Sequence, residues 1–410
     1  MKNIFIFTKQ FPYGKEETYI ESEMKYWDQY EKIFIFSLNI RRKNKKTKRE
    51  TPENVEVIPI LFQPIGYILF AFRTIFDPNF YKEIGELQKK KKLSISSLLQ
   101  LLIYISRSHY IANVIYKKIR NLQINSENIV FYSYRFDYQP YVAYLLREKM
   151  KLQCVIISRA HGSDLYEYSK KTGYIPMRSF LLNNLKYCYP CSKDGTNYLK
   201  TCYPDFKSKI ITQYLGTEDH GFINIERNRK FKIVSCSNIV EVKRINLIIK
   251  ALSLINEYEI EWTHFGDGPL REKLQAEAEQ ALGKNIDMIW KGQVSNETIL
   301  KEYKENKYNL FINTSSSEGL PVSIMEAISY GIPCIATNAG GNSEIVIDKI
   351  NGILLPLNSD EKIIADAIKK FIIMNETEYQ NYCKNARIIW ENNFSAKNNY
   401  EKFAKIVNNL

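Results

Sequence analysis

The chain has 410 residues, of which 45% are hydrophobic and 25% are charged, and its formal net charge is +13. This length can bury an ample core and suggests two or three domains. No apolar stretch reaches the 18 residues of a membrane-spanning helix, and the apolar run at residues 3–7 is too short for a secretory signal. We therefore expect neither a transmembrane segment nor a signal peptide.

Positive charge is concentrated in the first half of the chain. Residues 1–217 contain 35 Lys and Arg against 19 Asp and Glu, whereas the remainder contains 23 against 26. The basic residues peak at 41–49 and at 89–92, on either side of an apolar run at 60–72. A basic and partly apolar face suits an anionic membrane surface. A nucleic-acid surface would carry similar charge, but no helix-turn-helix, zinc-finger or RNP motif is present. A solvated loop beside a core helix is the third alternative.

Seven cysteines are scattered along the chain, at positions 154, 188, 191, 202, 236, 334 and 383. Cys188 and Cys191 form a C-x2-C pair, but no second pair at zinc-ligand spacing accompanies it. Most of the cysteines lie in apolar, strand-like runs. This odd, scattered set favours buried thiols in a reducing cytosol over a zinc site.

In chain order, short apolar strands alternate with helical segments, a pattern typical of α/β proteins with parallel sheets. The first half has strand candidates at residues 3–8, 31–37, 128–133, 153–158, 187–191 and 209–212, with a helix-rich stretch at 64–121. The second half has strand candidates at residues 231–236, 259–265, 286–290, 309–313 and 333–337. The break between the two halves falls near residues 216–221.

Two acidic residues, Glu318 and Glu326, stand out in the second half. Pro321 is suited to the first position of a helix and Gly331 is suited to end it, so a helix is predicted over residues 321–330. Glu326 then lies about one and a half turns into the helix, and Glu318 stands on the loop before it. The alternative is an amphipathic helix with two solvated acids.

The start of this helix is a predicted anion-binding position. The N–H groups of Gly319 and Leu320 would point outward at the positive end of the helix dipole. The strands at 309–313 and 333–337 both run into loops of small residues, and such loops share the carboxyl edge of a parallel sheet, where ligands bind. We therefore expect a diphosphate here, with a carboxylate on each side to bond the hydroxyls of a sugar nucleotide.

Residues 308–346 contain both acids, the Gly-Leu-Pro after the first acid and the Gly-Gly after the next strand. They resemble the nucleotide-binding core of retaining GT-B glycosyltransferases of family 4, with their E-x7-E motif. The resemblance implies an α/β fold of two Rossmann-like domains whose parallel sheets face a deep inter-domain cleft. It implies an acceptor-side domain at residues 1–215, a nucleotide-sugar domain at 216–392 and a last helix at 393–410 that packs back on the first domain.

The resemblance also implies donor contacts in the second half. Lys243 matches the lysine that holds the donor diphosphate, Arg244 is beside it, and Asn238 stands where many members have an arginine. Two cations at a helix N-terminus oppose the dipole, and a bound anion would reverse that penalty. Glu318 would bond the donor sugar and Glu326 the ribose. The other implied donor contacts are Gly266, Gly292, Val294, Gly319, Leu320 and Pro321.

In the first half, Gly14 matches the family's glycine turn near the donor phosphates, and His161 matches a histidine that contacts the donor sugar. Of the four histidines, only His161 lies in a polar, glycine-containing loop after a predicted central strand. The implied catalytic residues are Glu318, His161 and Lys243. Candidate acceptor or sugar contacts are Glu17, Arg159, Asp164 and Arg178. For Glu17, a solvated helix face is an equal alternative.

The resemblance implies a retaining glycosyltransferase that moves a hexose-type sugar from a nucleoside diphosphate sugar to a hydroxyl of a glycan or lipid-linked glycan, with UDP preferred over GDP. The expected setting is bacterial capsule, O-antigen or exopolysaccharide synthesis with an undecaprenyl-linked acceptor. We expect a cytoplasmic enzyme, peripheral on the inner membrane.

No metal and no further cofactor are expected. The chain has no Asp-x-Asp pair, and a lysine with a helix dipole can replace a metal ion at a diphosphate. Three alternatives remain open. They are another GT-B enzyme such as a nucleotide-sugar 2-epimerase, a non-catalytic partner subunit, and a nucleic-acid binder.

Overall fold

The computed structural model describes residues 1–14, 17, 19–122, 128–227 and 229–410. Within these residues the chain forms two compact units. The first comprises Met1–Tyr214 and Tyr400–Leu410, and the second comprises Leu215–Asn399. Each unit is built around one six-stranded parallel sheet, so the predicted α/β class with two parallel sheets is confirmed.

The first unit contains strands β1 (Asn3–Thr8), β2 (Ile33–Ile40), β3 (Val55–Leu61), β4 (Ile129–Ser133), β5 (Val155–Ala160) and β6 (Tyr187–Pro190). They pair in the order β3-β2-β1-β4-β5-β6. Its helices are α1 (Tyr19–Met24), α2 (Pro64–Thr74), α3 (Pro78–Lys89), α4 (Ile95–Ile119), α5 (Gln139–Met150), α6 (Gly162–Leu165), α7 (Arg178–Asn184) and α8 (Lys193–Cys202).

The second unit contains strands β7 (Phe231–Cys236), β8 (Ile260–Phe265), β9 (Ile286–Gly292), β10 (Leu310–Asn313), β11 (Cys334–Thr337) and β12 (Gly352–Leu355). They pair in the order β12-β11-β10-β7-β8-β9. Its helices are α9 (Ile245–Ser253), α10 (Arg271–Ala281), α11 (Asn296–Asn306), α12 (Val322–Ser329), α13 (Asn342–Ile345), α14 (Glu361–Ile373) and α15 (Glu376–Asn393). The last helix, α16 (Ala396–Asn408), begins in this unit and ends in the first.

The core of the first unit lies on both faces of its sheet. Side chains of β1 alternate between the faces, so Ile4 and Ile6 join one cluster while Phe5 and Phe7 join the other. On the second face, the ring of Phe5 stacks on that of Phe131 with centroids 5.2 Å apart. Burial on both faces explains why these strands read as continuous apolar runs.

Both sheets reverse their direction of growth at one point. In the first sheet this point lies between β1 and β4, and in the second it lies between β7 and β10. The loops that leave two such strands diverge at the carboxyl edge, which leaves a crevice that parallel α/β sheets use to bind ligands. The fold therefore provides one candidate crevice in each unit.

Some elements differ from the expectation. Neither β3 nor β12 was predicted: β3 is an edge strand that is only partly buried and contains Pro59, and β12 has only four residues. The strand predicted at 209–212 is wrong, because Ile210 forms only an isolated bridge to Cys188. The predicted helix at 321–330 is observed as α12, with Pro321 as its N-cap instead of its first residue.

In the described residues, no helix is long and apolar enough to cross a membrane.

A buried polar network joins β4, β5 and α1 in the first unit. Arg159 is fully buried, and its Nε donates to Tyr132 Oη at 2.7 Å and lies 3.3 Å from Glu23 Oε2. Tyr132 and Tyr134 both donate to the Glu23 carboxylate. The guanidinium also lies 4.4 Å from the ring centroid of Phe403. This placement gives Arg159 a structural role, and its acceptor contact stays a prediction.

We expect Arg159→Leu to reduce the free energy of unfolding by about 3–5 kcal/mol, because it leaves Glu23 as an unpaired buried charge. The matched control is Lys32→Ala. Lys32 pairs with Glu56 at 3.1 Å, but their side chains are 51% and 47% exposed, so the control should cost at most about 1 kcal/mol. Urea denaturation of both variants measures the difference, and equal losses would contradict a structural role for the buried network.

Candidate functional site

The crevice of the second unit contains an ion pair between a lysine and one of the two predicted acids. Lys243 comes from the loop after β7, and Glu318 comes from the loop after β10. Lys243 Nζ lies 2.6 Å from Glu318 Oε1, and Asn313 Nδ2 donates to the same oxygen at 3.2 Å. The two charged side chains are 22% and 9% exposed. The surrounding protein therefore buries most of this ion pair, and the small exposed part is accessible to a ligand.

Arg244 fixes the loops around this pair. Its backbone is left-handed, with φ of +49°, and its guanidinium donates to the carbonyl oxygens of Thr314, Ser315 and Leu357. These carbonyls belong to the loops after β10 and β12. Arg244 is therefore engaged in loop contacts, whereas the side chain of Lys243 reaches Glu318.

Two glycines hold the Glu318 loop in place. Gly340 has φ of +53°, and a Cβ there would lie 2.0 Å from the carbonyl oxygen of Glu318. A Cβ at Gly341 would lie 2.3 Å from the carbonyl oxygen of Gly319, and the Gly341 N–H donates to that oxygen at 3.0 Å. Only glycine permits such close backbone approach. The Gly-Gly pair after β11 thus sets the position of the loop that carries Glu318.

Glu326 is buried on α12. Asn296 Nδ2 donates to its Oε1 at 2.7 Å. Burial raises the pKa of the Glu326 carboxyl to about 7, and the hydrogen bond from Asn296 opposes this shift only in part. The ionised Glu326 carboxylate can accept more hydrogen bonds than the one from Asn296. Hydroxyl groups of a ligand could donate the additional ones.

The other predicted donor contacts surround the end of β7. Gly266 has φ of +135°, and a Cβ there would lie 1.9 Å from the carbonyl oxygen of Ser237, so the loops after β7 and β8 are in backbone contact. Asn238 is exposed on this loop. Gly292 ends β9 and its carbonyl accepts from the Gly266 N–H at 2.9 Å, while Val294 is partly exposed beyond it. Leu320 is buried beside Gly341.

In the first unit, Glu17 closes the loop after β1 instead of facing an acceptor. Its carboxylate accepts from the backbone N–H groups of Lys9, Gln10 and Phe11 at 2.9–3.0 Å. Arg135 Nε donates to it at 3.1 Å. This buried position contradicts a solvated helix face for Glu17, and its acceptor contact stays a prediction.

Gly14 follows the same loop in a left-handed conformation, with φ of +69°. Its N–H donates to Thr47 Oγ1 at 3.1 Å, and a Cβ there would lie 3.0 Å from Gln10 Oε1. Gly14 therefore lies against the segment that carries the first basic run.

His161 lies at the crevice of the first unit, directly after β5. Its ring stacks between Tyr19 and Tyr134, with centroids 4.8 and 5.4 Å away. Burial, assisted by the charges of Arg135 and Arg159, holds the pKa of His161 well below its usual value, so the imidazole is neutral. Within the described residues, neither ring nitrogen has a hydrogen-bond partner. The ring thus has one donor and one acceptor available.

Asp164 and Arg178 hold the loop of His161. Asp164 Oδ2 accepts from the N–H of Phe136 at 2.6 Å, and Arg178 donates to the backbone carbonyl of Asp164. The Arg178 guanidinium also lies 4.0 Å from the Phe136 ring centroid and is 1% exposed. Both side chains are buried in loop contacts, and their role as acceptor contacts stays a prediction.

Arg135 is a crevice residue that sequence reasoning missed. It follows β4, and it donates to Glu17, to Ser163 Oγ at 3.0 Å and to Tyr19 Oη at 3.0 Å. The sequence feature that could have identified Arg135 is its position directly after a central strand of the sheet. Arg135 joins the loops after β1, β4 and β5 at one edge of the sheet.

The model for the family "Glycosyl transferases group 1" matches residues 217–388. Protein CapJ of Staphylococcus aureus is 32% identical over 169 residues, which are 40% of this chain and 41% of CapJ. The Escherichia coli UDP-Gal:alpha-D-GlcNAc-diphosphoundecaprenol alpha-1,3-galactosyltransferase is 33% identical over 102 residues, which are 24% of each chain. The chain thus matches about two fifths or less of the length of these relatives.

Solved structures resemble the whole chain. The apo form of the lipopolysaccharide outer core galactosyltransferase WaaB has a TM-score of 0.67 and 17% identity, over 99% of this chain and 100% of that one. Anabaena Alr3699/HepE in complex with UDP has a TM-score of 0.68 and 13% identity, over 100% of both chains. The chain therefore has the GT-B fold, as the resemblance implied.

We expect Glu326→Gln to stabilise the protein above pH 7. In the unfolded chain this carboxyl titrates near 4.5, whereas in the folded chain its pKa is about 7. The folded state therefore loses stability as the pH rises between these values, and the variant avoids a loss on the order of 3 kcal/mol at pH 8. Thermal unfolding should show a gain of a few degrees at pH 8 and a much smaller one at pH 5.

Glu279→Gln, on the exposed face of α10, is the matched control and should show no such pH-dependent gain. If Glu326→Gln shifted the melting temperature equally at both pH values, the carboxyl would not have a raised pKa.

Proposed function

We propose that the protein is a retaining glycosyltransferase, because residues 217–388 match the model of glycosyl transferases group 1. In this proposal it moves a hexose-type sugar from a nucleoside diphosphate sugar, with UDP preferred over GDP, to a hydroxyl of a glycan acceptor. The observation that carries the proposal is the contact between Lys243 and Glu318 at the crevice of the second unit.

Lys243 and Glu318 provide the positive and the negative charge that a nucleoside diphosphate sugar needs for reaction. When the bond between the sugar carbon and the diphosphate oxygen breaks, its electrons move to the leaving diphosphate. Lys243, with the N-terminus of α12, can stabilise that charge. Glu318 would then accept hydrogen bonds from the sugar hydroxyls and stabilise the positive charge that develops at the ring. A lysine and a helix terminus supply this stabilisation without a metal ion, which is the form of catalysis that we propose.

The proposed roles of the other polar groups follow from their surroundings. Glu326 would bond the ribose, because hydroxyl donors favour the ionised form of a carboxyl whose pKa burial has raised. His161 would hydrogen-bond a hydroxyl of a sugar substrate with its neutral ring. The retaining outcome comes from the family resemblance and corresponds to same-face attack by the acceptor hydroxyl.

The relatives support a bacterial surface glycan as the acceptor. One of them is named as a galactosyltransferase that acts on a diphosphoundecaprenol-linked sugar, and another is the S. aureus protein CapJ. One structural relative was solved in complex with UDP, which supports UDP as the nucleotide of the donor. We propose a lipid-linked glycan as the acceptor in capsule, O-antigen or exopolysaccharide synthesis.

We also propose that the first unit rests on an anionic membrane. Helix α2 exposes Ile65, Ile68, Leu69 and Phe72, which are 64–71% exposed and share one helical face, the apolar face of α2. The opposite face of α2 packs on α4, where Gly66 lies against Tyr110. Monomeric proteins rarely expose so many adjacent large apolar side chains without a binding partner.

A cation lies at the end of this helix, where Arg73 is exposed. Apolar side chains next to a cation, on a unit with excess positive charge, fit the headgroup region of an anionic bilayer.

We expect UDP to raise the melting temperature of the wild type and not that of Lys243→Ala. Lys250→Ala, in the exposed last turn of α9, is the control and should respond like the wild type. A panel of UDP, GDP, ADP and their sugars would identify the base. If no nucleotide shifted the wild type, the transferase proposal would fail and a non-catalytic partner subunit would be favoured.

We expect Ile68→Ser to lower binding to vesicles that contain an anionic lipid by roughly tenfold, because α2 loses an inserted side chain. The matched control is Ile373→Ser on α14, since Ile68 and Ile373 are 68% and 67% exposed. Vesicle co-sedimentation measures both variants, and high salt should weaken wild-type binding. An equal effect of the two substitutions would contradict the proposed membrane face.

A further inference from the structure

A side chain from α11 holds one oxygen of the Glu326 carboxylate. Glu326 lies on α12 and is 8% exposed. Asn296 is the first residue of α11, and its Nδ2 donates to Glu326 Oε1 at 2.7 Å. Among the residues that the structure describes, no other group donates a hydrogen bond to this carboxylate. Most of its capacity to accept hydrogen bonds is therefore available to a ligand.

The start of α11 fixes the position of Asn296. Ser295 is the N-cap of this helix, and its side chain accepts from a backbone N–H of the first turn at 3.2 Å. Asn296 is exposed, so its side chain does not fill a position in the core. A neutral amide donates to a carboxylate without cancelling its charge. Asn296 is thus suited to orient Glu326 while the carboxylate keeps its full charge for a ligand.

The other titratable groups that interact with Glu326 are neutral near pH 7. They are Cys236 at the end of β7, Tyr303 on α11 and Tyr330 at the end of α12. Burial raises the pKa of each of them, and the charge of Glu326 raises it further, whereas Lys243 lowers that of Cys236. Burial also raises the pKa of Glu326, but only to about 7. Glu326 is therefore the member of this group that changes charge near neutral pH.

We propose that Asn296 is a positioning residue of the donor site, which orients the Glu326 carboxylate so that it accepts hydrogen bonds from the ribose hydroxyls of the donor. This inference rests on the proposed transferase function and adds Asn296 to its donor site. Because Asn296 donates to Oε1, Oε2 is the oxygen that serves the ribose.

This arrangement couples donor binding to the loss of a proton. Ribose hydroxyls donate most strongly to the ionised carboxylate, so a bound donor lowers the pKa of Glu326, and the proton goes to the solvent. In the free protein this pKa is about 7. The contribution of the ribose to affinity is therefore full above pH 7 and is lost as the pH falls below it.

The test is calorimetric titration of the full chain with UDP and with 2′,3′-dideoxy-UDP, which has the same base and diphosphate but no ribose hydroxyls. The ratio of the two affinities isolates the ribose from the diphosphate. At pH 8 we expect the wild type to bind UDP about tenfold more tightly than the analogue. Lowering the pH to 6 should reduce this ratio in the wild type but not in Glu326→Gln.

Asn296→Ala should reduce the ratio severalfold at pH 8, because Glu326 loses its orienting bond. Asn296→Asp should reduce it further, since a second carboxylate repels the ionised Glu326. An acidic residue in the first turn favours a helix, so α11 remains intact in this variant. Neither substitution should change the affinity for the analogue.

The matched control is Asn306→Ala at the other end of α11. Asn306 Nδ2 donates to Glu302 Oε2 at 2.7 Å, which is the same kind of contact at the same distance. This variant should keep the ratio of the wild type. If Asn296→Ala weakened UDP and the analogue equally, or left the ratio unchanged, the inference would be overturned while nucleotide binding still stood. If the wild type bound neither nucleotide, the transferase proposal would fail, and this inference with it.

Discussion

The ion pair between Lys243 and Glu318 depends on the reversal of strand order between β7 and β10. Parallel pairing brings the carboxyl ends of these neighbouring strands to one edge, and the loops that follow diverge from there. The loop of Glu318 can approach the sheet edge so closely only because Gly340 and Gly341 lack side chains. A lysine bound to a carboxylate here can exchange it for another anion, and this exchange is the basis of the proposed donor site.

The two units use the same topology with different chemistry. At the crevice of the first unit, Glu17, Arg135 and Asp164 are satisfied by one another and by backbone groups. They hold three loops rigidly around one neutral histidine whose ring nitrogens have no partner in the described chain. In the second unit, Glu326 is buried with one amide donor and a raised pKa. His161 and Glu326 therefore lower the free energy of unfolding, because each is buried with few or no hydrogen-bond partners. Such a loss of stability is typical of binding sites.

The sequence predicted the architecture well because long apolar strands that are buried on both faces leave a clear pattern. It also predicted that Glu318 lies on a loop and Glu326 on the helix that follows, since a helix boundary with proline and glycine is a local signal. It missed β3, whose edge position leaves it half exposed, and β12, which has only four residues. Local patterns are weak where burial is partial and strands are short.

Side-chain direction was the least predictable feature. The strand expected at 153–158 extends to Ala160, so Arg159 lies on the sheet face, where Phe403 from the end of the chain covers it. Glu17 turns inward, where Arg135 donates to its carboxylate. Both outcomes depend on contacts between distant segments, whereas Lys243 and Glu318 were placed by the strands that precede them.

The most direct test of the account is equilibrium binding of UDP to Glu318→Gln, together with turnover of a UDP-sugar. If Lys243 serves the diphosphate and Glu318 serves the sugar, removing the carboxylate frees Lys243. UDP should then bind at least as tightly as it binds the wild type, while turnover of the sugar donor is lost. Weaker binding of UDP by tenfold, or unchanged turnover, would contradict this division of roles.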